Sequence, residues 1–407
     1  MGRRLDIGVY GARGIPSTYS GYETFLGALL PELAARGHVV TMYCRSGEVP
    51  KMSTYRGVRC VHLPAIHSKQ LSTLSHGLLA AARSAVKRHD VVLVVNVANA
   101  ASAFLLRAVG GRVVLNTDGQ EWLRGKWGPV GRKVFLLSAR LARWSSNGLV
   151  SDCPAMRDVY RARFGSDSTV IPYCWTELQP VRTGATFDRL AIRPHQYFVV
   201  GGRLVPENNI VEIAEAYLAG DIAQPLVVLG AGAGRSPVTD GLRRLAVADE
   251  RLVLAGHIDD RSVFAGLIAE ATAYLHGHSV GGINPSLLEA MGCGARIVSL
   301  DTPFNREALG SAGDYFDQAA DLVPLLQAMS DDPSRSEQLR KDAHSRARKQ
   351  FALSDVASAY EELLLDVADS GKSLGRRIST RWDGQALRVF NEIAPSSEPT
   401  ESSQTAS

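Results

Sequence analysis

With 407 residues, 45% hydrophobic and 21% charged, the chain has the composition of an ordinary globular protein and the length for two domains, each burying its own core. A net charge of +4, from 45 Lys and Arg against 41 Asp and Glu, is too small to argue for nucleic acid as a partner. The five cysteines (Cys44, Cys60, Cys153, Cys174, Cys293) are odd in number and form no C-x-x-C pair, which argues against a disulfide framework and for a reducing, cytoplasmic compartment.

The first predicted strand, residues 5–10, starts so early that no signal peptide is expected ahead of it. After it comes Gly8-x-x-Gly11-x-x-Gly14, a spacing that invites a dinucleotide-binding reading. That fingerprint needs a helix starting at the last glycine and an acid at the end of the second strand. Here residues 15–20 intervene, and the second predicted strand, 39–44, runs into Arg45, so a nicotinamide cofactor is disfavoured. Ser20-Gly-Tyr-Glu23 reads as a capping box opening a helix over 23–36, closed by Gly37. Further strands are predicted at 91–95, 113–116, 148–151 and 169–172. The most apolar stretch, 91–106, contains Asn96, Asn99 and Ser102 and is too short to cross a membrane.

The pattern restarts with strands at 197–201, 226–230, 252–255, 273–276 and 296–300, again separated by helical stretches. Such alternation predicts α/β architecture, with two doubly wound Rossmann-like domains facing a central cleft. The expected division is 1–180 for the N-terminal domain, 181–370 for the C-terminal domain, and a tail over 371–407. Residues 394–407, rich in Ser, Thr, Glu and Pro, are expected to be disordered. Ligands of such sheets bind outside the carboxyl ends of the strands, so loops at those ends carry the candidate chemistry.

The most informative of these is residues 276–294, His-Gly-His-Ser-Val-Gly-Gly-Ile-Asn-Pro-Ser-Leu-Leu-Glu-Ala-Met-Gly-Cys-Gly. It reads as a strand end, a bend without side chains at Gly281 and Gly282, and a helix opened by Asn284 as N-cap and Pro285 at the first position. Free N–H groups past Pro285 would suit a phosphate, and Glu289, about one turn on, a sugar hydroxyl. His276-x-His278 lacks a third ligand nearby, so no metal is expected. Nor does an Asp-x-Asp follow any apolar strand. Residues 201–209, Gly-Gly-Arg-Leu-Val-Pro-Glu-Asn-Asn, place Arg203 between a strand and a helix. Gly230-Ala-Gly232 and Gly256-His257-Ile258 end two further strands. In the first half, residues 116–127, Asn-Thr-Asp-Gly-Gln-Glu-Trp-Leu-Arg-Gly-Lys-Trp, follow the fourth strand. The helix after it carries Lys133, Arg140 and Arg143 beside Val134, Leu137, Leu141 and Trp144, a basic amphipathic surface suited to an anionic membrane.

Residues 276–294 resemble the donor-site signature of retaining glycosyltransferases of family 4, which have the two-domain GT-B fold. Together with 116–127 they most resemble its rhamnosyltransferase-type branch, whose N-terminal domain was formerly of unknown function. The resemblance spans roughly residues 4–365. It implies catalytic roles for Asp118, Arg203 and Glu289. Donor contacts are implied for Gly14, Arg203, Asn208, Gly232, His257, Ile258, Gly282, Asn284, Ser286, Leu287 and Glu289, and acceptor contacts for Glu23, Glu121 and Trp122. Two positions depart from the family pattern: Gly281 stands where the first signature Glu would be, and Asn208 where a Lys would be. The implied activity is metal-free transfer, with retention, of a sugar, L-rhamnose first, from a nucleotide diphosphate sugar (dTDP-rhamnose or a UDP-sugar) to a glycan on a lipid carrier. Such an enzyme makes cell-surface polysaccharide at the inner face of the membrane and needs no cofactor. A nucleotide-sugar 2-epimerase of the same architecture and a non-catalytic nucleotide-sugar or glycan binder are the alternatives.

Overall fold

The computed structural model describes residues 3–17, 21–66, 68, 71–125, 127–230, 234–329, 332–370 and 375–384. The first lobe holds strands β1 (Asp6–Tyr10), β2 (Val39–Arg45), β3 (Thr54–Tyr55), β4 (Val58–Leu63), β5 (Val91–Val95), β6 (Val113–Asn116), β7 (Gly148–Ser151) and β8 (Thr169–Val170). Its helices are α1 (Gly21–Ala35), α2 (Leu71–Lys87), α3 (Ala100–Ala108), α4 (Pro129–Ser145) and α5 (Pro154–Phe164). After α6 (Gly184–Arg189) the second lobe adds β9 (Phe198–Gly201), β10 (Leu226–Leu229), β11 (Leu252–Gly256), β12 (Ala273–His276), β13 (Ile297–Leu300) and β14 (Asp314–Phe316). Its helices are α7 (Ile210–Ala219), α8 (Pro237–Ala248), α9 (Arg261–Ala269), α10 (Pro285–Gly292), α11 (Pro303–Leu309), α12 (Leu322–Ala328) and α13 (Pro333–Gln350), and α14 (Leu353–Asp369) follows.

The sheets run β3-β4-β2-β1-β5-β6-β7-β8 and β11-β10-β9-β12-β13-β14. Counted within itself, the second has the Rossmann order 3-2-1-4-5-6, and the first repeats it with the antiparallel β3 added on one edge and the parallel β8 on the other. The order reverses between β1 and β5 and between β9 and β12. Helices cover both faces of a parallel sheet, so its inner strands are buried along their length, as Val91-Val-Leu-Val-Val95 is here. The eleven strands expected from the sequence are present to within two residues at either end. β3, β4 and β14 were not anticipated: Val58-Arg-Cys-Val-His-Leu63 breaks its apolar run with an exposed Arg59, and β14 has three residues.

The chain crosses between the lobes twice. Trp175, past β8, donates its backbone N–H to the carbonyl of Phe351 (2.8 Å), so outgoing and returning segments lie side by side. α14 then packs on α1, β5 and β6 of the first lobe, burying Val356, Leu363, Leu364 and Val367. Tyr360 on it accepts a hydrogen bond from Asn116 Nδ2 at 2.7 Å. Although the sequence shows no pattern past about residue 370, the described stretch 375–384 binds the edge of the first sheet: Arg376 N–H reaches the Asn147 carbonyl (2.6 Å) and Thr380 Oγ1 the Val170 carbonyl (2.7 Å). Residues 394–407 lie outside the described residues.

Candidate functional site in the crevice between the sheets

The carboxyl ends of the two sheets meet closely, and glycines make the meeting possible. A methyl group on Gly21, at the start of α1, would stand 2.6 Å from the Pro285 ring at the start of α10. One on Gly119 would stand 3.1 Å from Gly281 Cα. On Gly282 it would fall 1.7 Å from Asp152 Oδ2, inside the carboxyl group that β7 sends across from the first lobe. The side-chain-free bend at 281–282 thus accommodates the opposite lobe as well as any ligand.

Asp118 sits at the end of β6 with φ +54°, a left-handed conformation that a non-glycine residue holds only when its surroundings fix it. Its carboxylate accepts from Tyr173 Oη (3.0 Å) and Asn96 Nδ2 (3.1 Å), and its backbone N–H donates to Asn116 Oδ1 (2.8 Å). Burial raises its pKa, Glu121 raises it further, and Arg124, Tyr173 and Arg203 pull it back. Arg203, exposed at the end of β9, acts electrostatically on Asp118 from the second lobe. Asn208 spends its amide within the loop: Nδ2 donates to the Arg203 carbonyl (2.7 Å), so Oδ1 faces His278 Nδ1 (2.8 Å). His278 therefore carries its proton on Nδ1 and presents a bare Nε2. Burial holds its pKa well below the usual range, with His276, Arg124 and Arg203 adding to the effect, and burial also lowers His276 to about 3. A small pocket opens here, lined by Val200, Gly201, Asn208, His276, Gly277, His278, Asn284 and Ser286.

At the start of α10, Asn284 accepts from Ser286 N–H (3.0 Å) and Ser286 Oγ (2.8 Å), and its carbonyl takes the Leu287 N–H (3.0 Å). The N–H groups expected to be free thus have internal partners, which an incoming anion would displace. The Leu287 side chain is fully buried in the core. Glu289 is buried and forms an ion pair with Arg261 of α9, whose guanidinium stacks 4.6 Å over Phe264. Arg261 went unnoticed in the sequence, where nothing distinguishes it from a surface arginine.

On the first lobe, Gly14 (φ +135°) lies against Cys44, and Glu23 accepts the Arg13 backbone N–H at 3.4 Å. Ser20, the other half of the expected capping box, lies outside the described residues, as does Gly232. Glu121 pairs with Arg124 (2.6 Å) and accepts from Trp127 Nε1 (3.1 Å). Trp122 is buried between Tyr160 and Phe164, with ring centroids at 5.9 and 5.4 Å. His257 is exposed beside Asp259 (3.4 Å), and Ile258 is half-buried.

Sequence reasoning also missed Asp152. Only 2% exposed, it accepts from Cys153 Sγ (3.4 Å) and the Ile283 backbone, and burial together with Asp118 and Glu307 raises its pKa to about 8. Glu307 on α11, half-buried, is raised to about 7. Among the described residues no group of three His, Cys, Asp or Glu could hold a metal ion.

Away from the crevice, α2, α3 and α4 lie side by side and expose Leu71, Leu74, Leu78, Phe104, Leu105, Val130, Val134, Leu137 and Trp144. Lys133, Arg140 and Arg143 are exposed on the same α4, and Arg143 lies 5.6 Å over the Trp144 ring. Among the described residues no helix is long and apolar enough to cross a membrane.

Two facing parallel sheets with a crevice at their carboxyl ends define the GT-B architecture, and solved structures agree. Sucrose-phosphate synthase from Thermosynechococcus elongatus superposes with a TM-score of 0.75 at 18% identity, over 89% of this chain and 99% of that one. Anabaena HepE in complex with UDP-glucose gives 0.73 at 13%, over 89% and 100%. WaaG, a glycosyltransferase involved in lipopolysaccharide biosynthesis, gives 0.66 at 15%, over 90% and 100%. At these identities the likeness is one of fold. Residues 5–176 match a family model described as a domain of unknown function, DUF1972. No curated protein matches the sequence.

Proposed function

We propose that this protein is a retaining glycosyltransferase that moves a sugar from a nucleotide diphosphate donor to a glycan acceptor. The observation that carries this reading is the arrangement at the switch point of the second sheet: a polar pocket at the start of α10, with Arg203 on the loop that supplies Gly201 and Asn208 to it and Asp118 of the first lobe within Arg203's electrostatic reach. The donor diphosphate would occupy that pocket, and Arg203 would stabilise the charge that develops as the sugar departs. Glu289 would exchange Arg261 for the ribose hydroxyls. Asp118, fixed by two hydrogen bonds, would take a hydroxyl of the sugar or acceptor. The groove lined by Leu204, Val228, Leu242 and Leu254, at the ends of β10 and β11, would seat the nucleoside.

L-rhamnose from dTDP-rhamnose is the donor that the sequence resemblance favours, and a lipid-linked glycan of a cell-surface polysaccharide is the acceptor. The face built by α2, α3 and α4 supports the latter, since apolar and basic side chains together suit an anionic membrane. The test is a panel of nucleotide sugars, read by thermal stabilisation and by release of nucleoside diphosphate with acceptor present, before and after EDTA. If no nucleotide sugar stabilised the protein or was consumed, the reading would fail; activity that EDTA abolished and magnesium restored would remove its metal-free part.

The raised acids Asp152, buried, and Glu307, half-buried, favour a second reading, the 2-epimerase, which needs carboxyl groups able to move a proton near pH 7. Conversion of the nucleotide sugar with no acceptor present would select it.

A further inference from the structure

The pocket at the start of α10 contains no cation. Its two histidines are neutral, and the amide of Asn208 is committed to His278 and the Arg203 carbonyl. A diphosphate carries more charge than Arg203 alone can offset. A second guanidinium stands at the same place, and it comes from the opposite lobe. A methyl group built on Gly281 would stand 3.9 Å from Arg124 Nη2 and 3.6 Å from the bare His278 Nε2. Both Arg124 and Arg203 act electrostatically on His278 and on Asp118.

Arg124 is held unevenly. Glu121 of its own lobe lies 2.6 Å from its Nε as an ion pair without hydrogen-bond geometry, and is itself fixed by Trp127. Across the crevice Glu207 stands at 3.6 Å, 5% exposed, and neither of its carboxylate oxygens has a hydrogen-bond partner. A buried carboxylate without donors is costly, and the loop that carries it, 201–209, is the one that holds Asn208. Burial by itself would lower the guanidinium's pKa; Glu121, Asp118 and Glu207 outweigh it, so Arg124 stays charged.

We infer that Arg124 is the second cation of the diphosphate site, reaching the donor from the opposite lobe, and that Glu207 is the weaker partner from which an incoming diphosphate takes it. The inference rests on the donor reading above. It assigns a role to two residues for which the resemblance supplied none, and it accounts for a loop that carries Asn in place of a cation. It also links donor binding to closure, since the ligand would contact both lobes.

The test is calorimetric titration of the full-length protein with dTDP, UDP and the matching monophosphates. Arg124→Gln should weaken diphosphate binding about tenfold or more, as expected for one lost charge-assisted contact, and reduce the preference for diphosphate over monophosphate. Because that variant leaves Glu207 unpaired and could fail to fold, Arg124→Gln/Glu207→Gln is measured beside it and should show the same loss. Glu207→Gln alone should tighten diphosphate binding by about threefold, because it removes a competitor for the guanidinium. A purely structural ion pair would instead make Glu207→Gln as harmful as Arg124→Gln, with the diphosphate preference unchanged, and that result would overturn the inference. So would a double variant that binds diphosphates like the wild type. A wild-type protein that bound none of these nucleotides would remove the donor reading and this inference with it.

Discussion

Asp152→Asn should make the protein more stable, by an amount that grows with pH. In the folded protein Asp152 is 2% exposed and its pKa is raised to about 8, whereas an unfolded chain titrates it at about 3.9. A carboxyl raised in this way contributes stability that is fully present below the unfolded value and is lost as pH rises through the folded one. Between about pH 4 and 8 the native state keeps a proton that the unfolded chain has released. Each pH unit in that window therefore removes about 1.4 kcal/mol, or at most about 4 kcal/mol by pH 7. Asn has the same shape, still accepts the Ile283 N–H, and titrates in neither state. Glu307 and Asp118 are also raised and titrate in both proteins, so the difference between variant and wild type reports Asp152 together with its coupling to these two acids. A chain of this size gains roughly 0.8 kcal/mol/K of entropy on melting, so the Tm gap should widen by about 1–2 °C per pH unit from pH 5 to 8 and then level off. A gap independent of pH over that range would refute the buried, protonated acid.

Three further outcomes are expected. Arg203→Ala should lose most transfer activity and weaken nucleoside diphosphate binding by about 2 kcal/mol, measured by calorimetry; near-wild-type turnover would take Arg203 out of the site. Gly282→Ala puts a methyl group 1.7 Å from Asp152 Oδ2 and should depress both Tm and activity, with part of each restored in Gly282→Ala/Asp152→Ala, and a harmless Gly282→Ala would mean the lobes do not close as described. Replacing Lys133, Arg140 and Arg143 with Gln should weaken sedimentation with anionic vesicles at low salt by about 1 kcal/mol per charge while sparing transfer to a short soluble acceptor, and equal loss of both would place the segment in the active site.

The sheets were legible in the sequence because parallel strands buried on both faces leave unbroken apolar runs such as Val91–Val95, and their restart near residue 197 marked a second sheet. The candidate loops were legible because strand ends, Asn284-Pro285 and the glycines follow local rules. Partnership across the crevice follows no local rule. Nothing near Asp152 announces that it seats on Gly282, or near Glu289 that Arg261 holds it, since each pair is separated in sequence and formed by tertiary packing. Trp122 is a further case: it lies in a motif read as facing an acceptor, and its ring packs among Tyr160 and Phe164, partners that no local pattern announces.

The return of α14 to the first lobe dictates an order of assembly on the ribosome. β5 and β6 emerge early, but the surface they offer to Val356, Leu363 and Val367 stays bare until nearly the whole chain has been translated. The first lobe, begun first, is thus completed last, and Asn116 waits for Tyr360 across 244 positions of sequence. A recombinant fragment ending near residue 180 would carry that apolar surface permanently uncovered. Co-expression with a peptide spanning α14 is the direct way to rescue its solubility.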